Sequence, residues 1–213
     1  MNKRFLVVMA VLILVFVGFV VVKGQKDKQN NQGTSSVQPT EHKSGAGKKK
    51  VTLLEYGDFQ CPVCGEYFPI LEQVRKKYGD DITFQFRHFP ITQIHQNAMS
   101  AHRAAEASAK QNKFWEMYEL LYQRQQAWSS SQNASQIMED YASELGMNVE
   151  QFKNDYKSTE INALINADYA AGQKIGVEGT PTFFINNEKV TSSPRSVDDF
   201  SKLIDEAIKK AEN

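Results

Sequence analysis

Only two cysteines occur in the 213 residues, and they stand together as Cys61-Pro62-Val63-Cys64. A dithiol closed over two residues suits electron exchange: a thiolate attacks a disulfide sulfur, and a second thiol nearby resolves the mixed disulfide. Two duller uses compete with this one. Zinc needs about four ligands, and the histidines offer no obvious set. His42 falls in a polar leader, while His95 and His102 are seven apart, about 10 Å along a helix. A structural staple is the other, although so short a closure removes little loop entropy. The second short signal, Gly179-Thr180-Pro181-Thr182-Phe183-Phe184, comes about 120 residues later in the chain.

The elements that must hold these residues are readable from periodicity. Val51–Tyr56 (VTLLEY) is a short apolar run that suits a strand buried on both faces. Pro62 opens the next segment, as proline can at the first helical turn. Phe68, Leu71, Val74 and Tyr78 then recur at helical spacing as far as Gly79-Asp80-Asp81. This places Cys61 at a helix N-terminus, where free N–H groups and the helix dipole favour a thiolate. Ile82–Phe89 alternates as a second strand, which completes a βαβ unit. Residues 91–175 read as four or five helices without strands, with Trp115 and Trp128 as packing and His95 and His102 as a cap or surface residues. After Gly176 come a strand at Thr182–Ile185, a turn at Asn186-Asn187, a short strand around Val190, and a last amphipathic helix capped by Ser196. The expected order is βαβ, a helical insertion, then ββα.

Charge is divided unevenly. Residues 1–50 carry nine Lys/Arg against two Asp/Glu, a net of +7, and residues 51–213 carry sixteen against twenty-three, a net of −7. An anionic folded part argues against nucleic acid as a partner. Residues 1–4 read as a cytoplasmic N-terminus. The uncharged run 5–22 spans about 27 Å as a helix, close to a bilayer core, and reads as a retained transmembrane anchor. A cleaved signal peptide is the rival reading. Residues 23–49 read as a disordered tether reaching roughly 25–30 Å, and residues 50–213 as the folded domain, with the insertion at about 91–175. An anchored domain on the outer face would occupy an oxidising compartment.

The string Glu55-Tyr56-Gly57-Asp58-Phe59-Gln60-Cys61-Pro62-Val63-Cys64, the distant Gly-Thr-Pro and the helical block between them resemble the DsbA-type thiol:disulfide oxidoreductases. The resemblance covers essentially all of residues 50–210. It implies an α/β thioredoxin fold (βαβ–ββα) with an inserted all-helical subdomain, and a redox-active Cys61–Cys64 disulfide with no other cofactor and no metal. It implies that Pro181 is cis and faces the cysteines, leaving the Thr180 backbone open to an extended substrate peptide; an ordinary strand-initiating proline is the alternative. Glu55 matches the family's buried acid beneath the site. It lies on the strand face of Val51 and Leu53, and a buried carboxylate could pass a proton to or from Cys64; a solvent-facing strand-end glutamate is the alternative. With Pro62, the residues Val63, Phe59 and Tyr67 are candidates for an apolar substrate rim, and ordinary packing competes.

Position 63 is Val, where the best-known strongly oxidising members of the family carry His. The potentials open to the fold run from about −120 to about −270 mV, a span of roughly 7 kcal/mol. The expected function is oxidation of cysteines in reduced or unfolded polypeptides outside the cytoplasm by a membrane-anchored monomer, with a quinone-linked membrane protein as reoxidant. A reductase or isomerase on the same fold is one alternative, and a non-enzymatic binding or holdase module is another. An isomerase usually pairs two domains, and no dimerisation segment stands out.

Overall fold

A computed structural model describes residues 37–212. Five strands, β1 (His42–Ser44), β2 (Val51–Gly57), β3 (Ile82–His88), β4 (Thr182–Ile185) and β5 (Glu188–Lys189), form one sheet in the order β1-β3-β2-β4-β5. Strands β2 and β3 are parallel, joined by α1 (Pro62–Tyr78), and the other pairs are antiparallel. Between β3 and β4 lie six helices: α2 (Ala98–Ala109), α3 (Phe114–Gln123), the single turn α4 (Gln125–Trp128), α5 (Ala134–Glu144), α6 (Val149–Tyr156) and α7 (Thr159–Lys174). Helix α8 (Val197–Glu212) closes the chain. The expected thioredoxin-type α/β fold with a helical insertion is the observed one.

The alternation of β2 divides the interior. Val51, Leu53 and Glu55 share the face that meets Phe84, Phe86, Phe183, Leu71 and the helices α1, α3 and α8. Leu54 and Tyr56 face a second cluster with Phe89, Val177 and Phe184, against which Tyr169 of α7 packs. Asn186 and Asn187, both at positive φ, make the two-residue turn between β4 and β5, and Ser196 caps α8 by accepting from the Asp199 N–H at 3.1 Å. Helix α7 approaches the sheet through Gly172, where an added Cβ would stand 2.8 Å from a Tyr56 ring carbon and 3.0 Å from one of Phe89. Gly172→Val should therefore destabilise the protein by about 1–3 kcal/mol through overpacking, read as a lower urea midpoint at unchanged slope.

Residues 37–49 depart from the expected tether. His42–Ser44 pairs with Phe84–Phe86 as an edge strand. Just before it, the Thr40 N–H and hydroxyl donate to the Asp168 carboxylate of α7 at 2.7 and 2.6 Å. His-Lys-Ser carries no apolar alternation, so the backbone ladder and two long-range hydrogen bonds hold what composition reads as linker. The anchor expected at 5–22 and the tether up to residue 36 lie outside the described residues. Among the described residues no helix is long and apolar enough to cross a membrane.

Candidate functional site

Cys61 is the N-cap of α1 in extended conformation (φ −66°, ψ 120°), with Pro62 as the first helical residue. Its N–H donates to the Asp58 carbonyl at 3.0 Å, and its own carbonyl accepts from Gly65 N–H at 3.1 Å. Cys61 is 6% exposed and Cys64, one turn on, is fully buried, so a visiting sulfur can reach only Cys61. Both thiols are free. The Thr180-Pro181 peptide is cis, and Cys61 Sγ lies 3.4 Å from the Thr180 carbonyl oxygen, across 119 residues of sequence. Residues from the two ends of the folded chain thus meet at one point.

The two sulfurs differ sharply in acidity. The Cys64 thiol beside it, the Thr180 side chain and the N–H groups of Cys64 and Val63 outweigh partial burial and bring the Cys61 thiol down to about 6. Burial first, then the neighbouring Cys61 and Glu55, pushes the Cys64 thiol well above its ordinary range. Alkylation of the reduced protein by iodoacetamide should accordingly modify Cys61 alone. Its rate should climb through about pH 6 and level off above it, since the thiolate is the nucleophile. An inflection near the free-thiol value, or equal labelling of Cys64, would contradict this asymmetry.

Glu55 is fully buried, and its charge bears on that of the Cys64 thiol. Burial raises its carboxyl to about 8; Tyr118 opposes this by donating its hydroxyl to Oε2 at 3.2 Å, and the charge of Cys61 adds to the rise. Oε1 has no hydrogen-bond partner, nor has the buried hydroxyl of Tyr122. Burial thus favours the neutral form of this carboxyl in the folded protein.

Two rim candidates are corrected. Phe59 is fully buried and packs its ring against Phe86, His102 and Tyr122 at centroid separations of 4.9–5.1 Å, so it is a core residue that no substrate touches. Tyr67 is likewise buried, against Phe183 and Phe200. The insertion covers Phe59 through Tyr122, while β4 and α8 cover Tyr67 through Phe183 and Phe200. Val63, 38% exposed, remains on the surface beside Pro62, and Ile94 from the insertion is exposed nearby. Shallow grooves run on either side of Pro62, one bordered by Gln60, Ile94 and His95, the other by Gly65, Glu66 and Tyr122.

Several residues of the turn carry no apolar or cysteine signal. Asp58 accepts at its carboxylate from the N–H of Gln60 and of Ile91, both at 2.8 Å, and bonds His95 Nδ1 at 2.7 Å. Only the Asx-type bond to Gln60, two residues on, was available to sequence reasoning. Gln125 of α4 donates to the carbonyls of Phe59 and Cys61 at 2.7 and 2.9 Å, and Gln60 donates to the Ser129 carbonyl at 2.7 Å. Asn97 N–H completes this stitching by donating to Gln60 Oε1 at 2.7 Å. The insertion thus holds the backbone on which Cys61 stands. His102, expected at a cap or surface, is fully buried beside Phe59, and His95 precedes α2 rather than sharing a helix with it.

A family model described as Thioredoxin matches residues 37–206. The Na(+)/H(+) antiporter NhaA 1 of Mycolicibacterium gilvum is 35% identical over 153 residues, which is 70% of this chain and 24% of that protein. The chain thus spans about a quarter of the length of the curated relatives it matches. Among solved structures, a thioredoxin-like oxidoreductase from Silicibacter pomeroyi DSS-3 aligns with a TM-score of 0.66 at 24% identity, over 84% of this chain and 98% of that one. Oxidised BdbD from Bacillus subtilis aligns with a TM-score of 0.70 at 22% identity, over 82% of this chain and 97% of that one. At such identities the likeness is one of fold.

Proposed function

The chain belongs to the thioredoxin family, and from that premise we propose that it is a thiol:disulfide oxidoreductase that oxidises cysteines of polypeptides outside the cytoplasm. The observation that carries this reading is the meeting of Cys61 Sγ with the carbonyl of Thr180 at the cis Thr180-Pro181 bend. There a low-pKa thiol is reachable while its partner is shielded.

The reaction starts from the Cys61–Cys64 disulfide. A substrate thiolate attacks the Cys61 sulfur; a substrate–Cys61 disulfide forms and Cys64 leaves as a thiolate, which takes the proton held by Glu55. A second substrate thiolate then attacks its own half of the mixed disulfide. The substrate leaves oxidised, and Cys61 departs as a thiolate. Two electrons have passed to the dithiol, with no cofactor beyond it. In the bound complex an extended peptide lies along Thr180 and Pro181, pairing with the backbone of Thr180 and crossing Pro62 and Val63.

Direction follows from leaving-group stability. A Cys61 thiolate with a pKa of about 6 is stabilised relative to an ordinary thiol, which favours the reduced enzyme and so makes its disulfide an oxidant. With Val63 in place of a cationic neighbour, the expected potential falls between the values of the weak and strong oxidants of the fold. A membrane-held position beside a quinone-linked reoxidant completes the proposal; the basic, apolar N-terminal run of the sequence supports it. The test is equilibration of the purified chain with glutathione, together with oxidative refolding of a reduced test protein. An equilibrium constant favouring the reduced enzyme and catalysed refolding are expected. A thioredoxin-like constant would reverse the direction to reductase, and failure to refold the substrate at all would remove the activity.

A further inference from the structure

Away from the cysteine turn, two histidines and a glutamate from three elements converge on one spot. His42 stands in β1, His88 ends β3 and Glu106 lies in α2, and one donor atom from each lies within 4.8 Å of the others. Nε2 of His42 and Nε2 of His88 both contact the same oxygen, Glu106 Oε1, that of His88 at 2.6 Å. The side chains of His42, His88 and Glu106 are 14%, 0% and 3% exposed. The His42 ring is stacked on Phe114 with centroids 3.6 Å apart, so its orientation is set by packing. Two imidazoles and a carboxylate sharing a point make a donor set suited to zinc, whereas magnesium and calcium take oxygen donors.

The hydrogens of the surrounding network supply a second, independent argument. His88 Nδ1 lies 2.6 Å from His102 Nδ1, so one of these nitrogens donates and the other accepts. The far nitrogen of His102, Nε2, is buried without a hydrogen-bond partner, 3.6 Å from the Asp58 carboxylate. If neutral His88 donates from Nε2 to Glu106, its Nδ1 must accept from His102. Neutral His102 then turns a bare lone pair toward a buried carboxylate, a repulsive and unsatisfied arrangement. A cation at His88 Nε2 reverses the order. His88 Nδ1–H donates to His102 Nδ1, and the His102 Nε2–H faces Asp58. This is the outer-shell pattern in which a metal-bound imidazole donates its other N–H.

We propose that His42, His88 and Glu106 bind a zinc-class divalent ion, with His102 and Asp58 as the outer shell that orients His88. The ion is structural: its ligands are buried or nearly so, and it ties β1 to β3 and α2. The proposal stands apart from the thiol chemistry.

The test uses the full chain, stripped by a chelator and with Cys61 and Cys64 oxidised so that neither can act as a thiolate ligand. Titration with Co2+ should give one equivalent of a tetrahedral absorption band that Zn2+ displaces, and Zn2+ should raise the Tm. His42→Ala and Glu106→Gln should each weaken binding at least about tenfold to a hundredfold and lose the Tm response. His42→Ala leaves the backbone ladder of the edge strand β1 in place, so it carries the test should Glu106→Gln fail to fold. No band and no Tm change in the folded wild type would overturn the proposal, leaving a protonated hydrogen-bond network in its place. Undiminished binding by His42→Ala would overturn it equally.

Discussion

Glu55→Gln should make the protein more stable at neutral pH while making it a slower catalyst. The folded carboxyl holds its proton up to about pH 8, raised first by burial, from an ordinary value of 4.5. Between those values the unfolded chain has already lost that proton and the folded protein has not. The folded state thus binds more protons, and stability falls as pH rises from 4.5 toward 8. At pH 7 that loss amounts to about 3 kcal/mol. Glutamine keeps the shape and can still accept from the Tyr118 hydroxyl, but has no proton to lose. The variant should therefore be more stable by about 3 kcal/mol at pH 7, level with the wild type near pH 4, and flat between. Denaturant unfolding of the disulfide form at several pH values measures this without interference from thiol titration; burial, the largest cause, persists there, while the smaller rise from the Cys61 charge is lost. The same change removes the proton donor for Cys64, so substrate oxidation should slow by about a hundredfold. A variant with unchanged stability at pH 7 would show that Glu55 is ionised in the folded protein. A stabilised variant with undiminished rate would separate burial from proton transfer.

Replacing the two cysteines one at a time should give opposite products. Cys61→Ser leaves a buried thiol with a strongly raised pKa and no reachable sulfur, so exchange should drop to the uncatalysed rate and no mixed disulfide should form. In Cys64→Ser the reachable, low-pKa sulfur remains, but nothing within the chain can release a bound partner. Reaction with an oxidised peptide should then trap a covalent peptide–Cys61 adduct, seen as a mass increase that dithiothreitol reverses. The adduct should form with a rate rising through about pH 6, as alkylation does. Adducts on Cys61→Ser, or none on Cys64→Ser, would reverse the assignment of attacking and resolving sulfurs.

Much of this was legible along the chain because its causes are local. The opening strand, the proline-started helix with Phe68, Leu71, Val74 and Tyr78 inward, and the Ser196 cap each follow from neighbours a few residues apart. The same locality put Cys61 at a helix start and Glu55 on the inward side of β2. Phe59 was misread because an aromatic residue beside an exposed motif has the same sequence signature whether it faces a substrate or a core. The rings of Tyr118 and Tyr122, about sixty residues on, decide between the two. His42 was misread because an edge strand is held by backbone hydrogen bonds, which leave no mark on side-chain pattern. The spacing of His95 and His102 suggested two points on one helix, yet both rings turn toward the Asp58 carboxylate from opposite ends of a loop–helix junction.

Sequence alone determined that this protein has one closely spaced dithiol, at a helix start, within a βαβ–insertion–ββα chain. Those properties depend on side-chain type and short-range periodicity, which the order of residues contains directly. Tertiary structure alone decided which sulfur is reachable, that the Thr180 carbonyl faces it, and that a buried acid and four histidines gather where they do. These are contacts between residues far apart in the chain, created only when β4 pairs with β2 and the insertion folds back against the sheet.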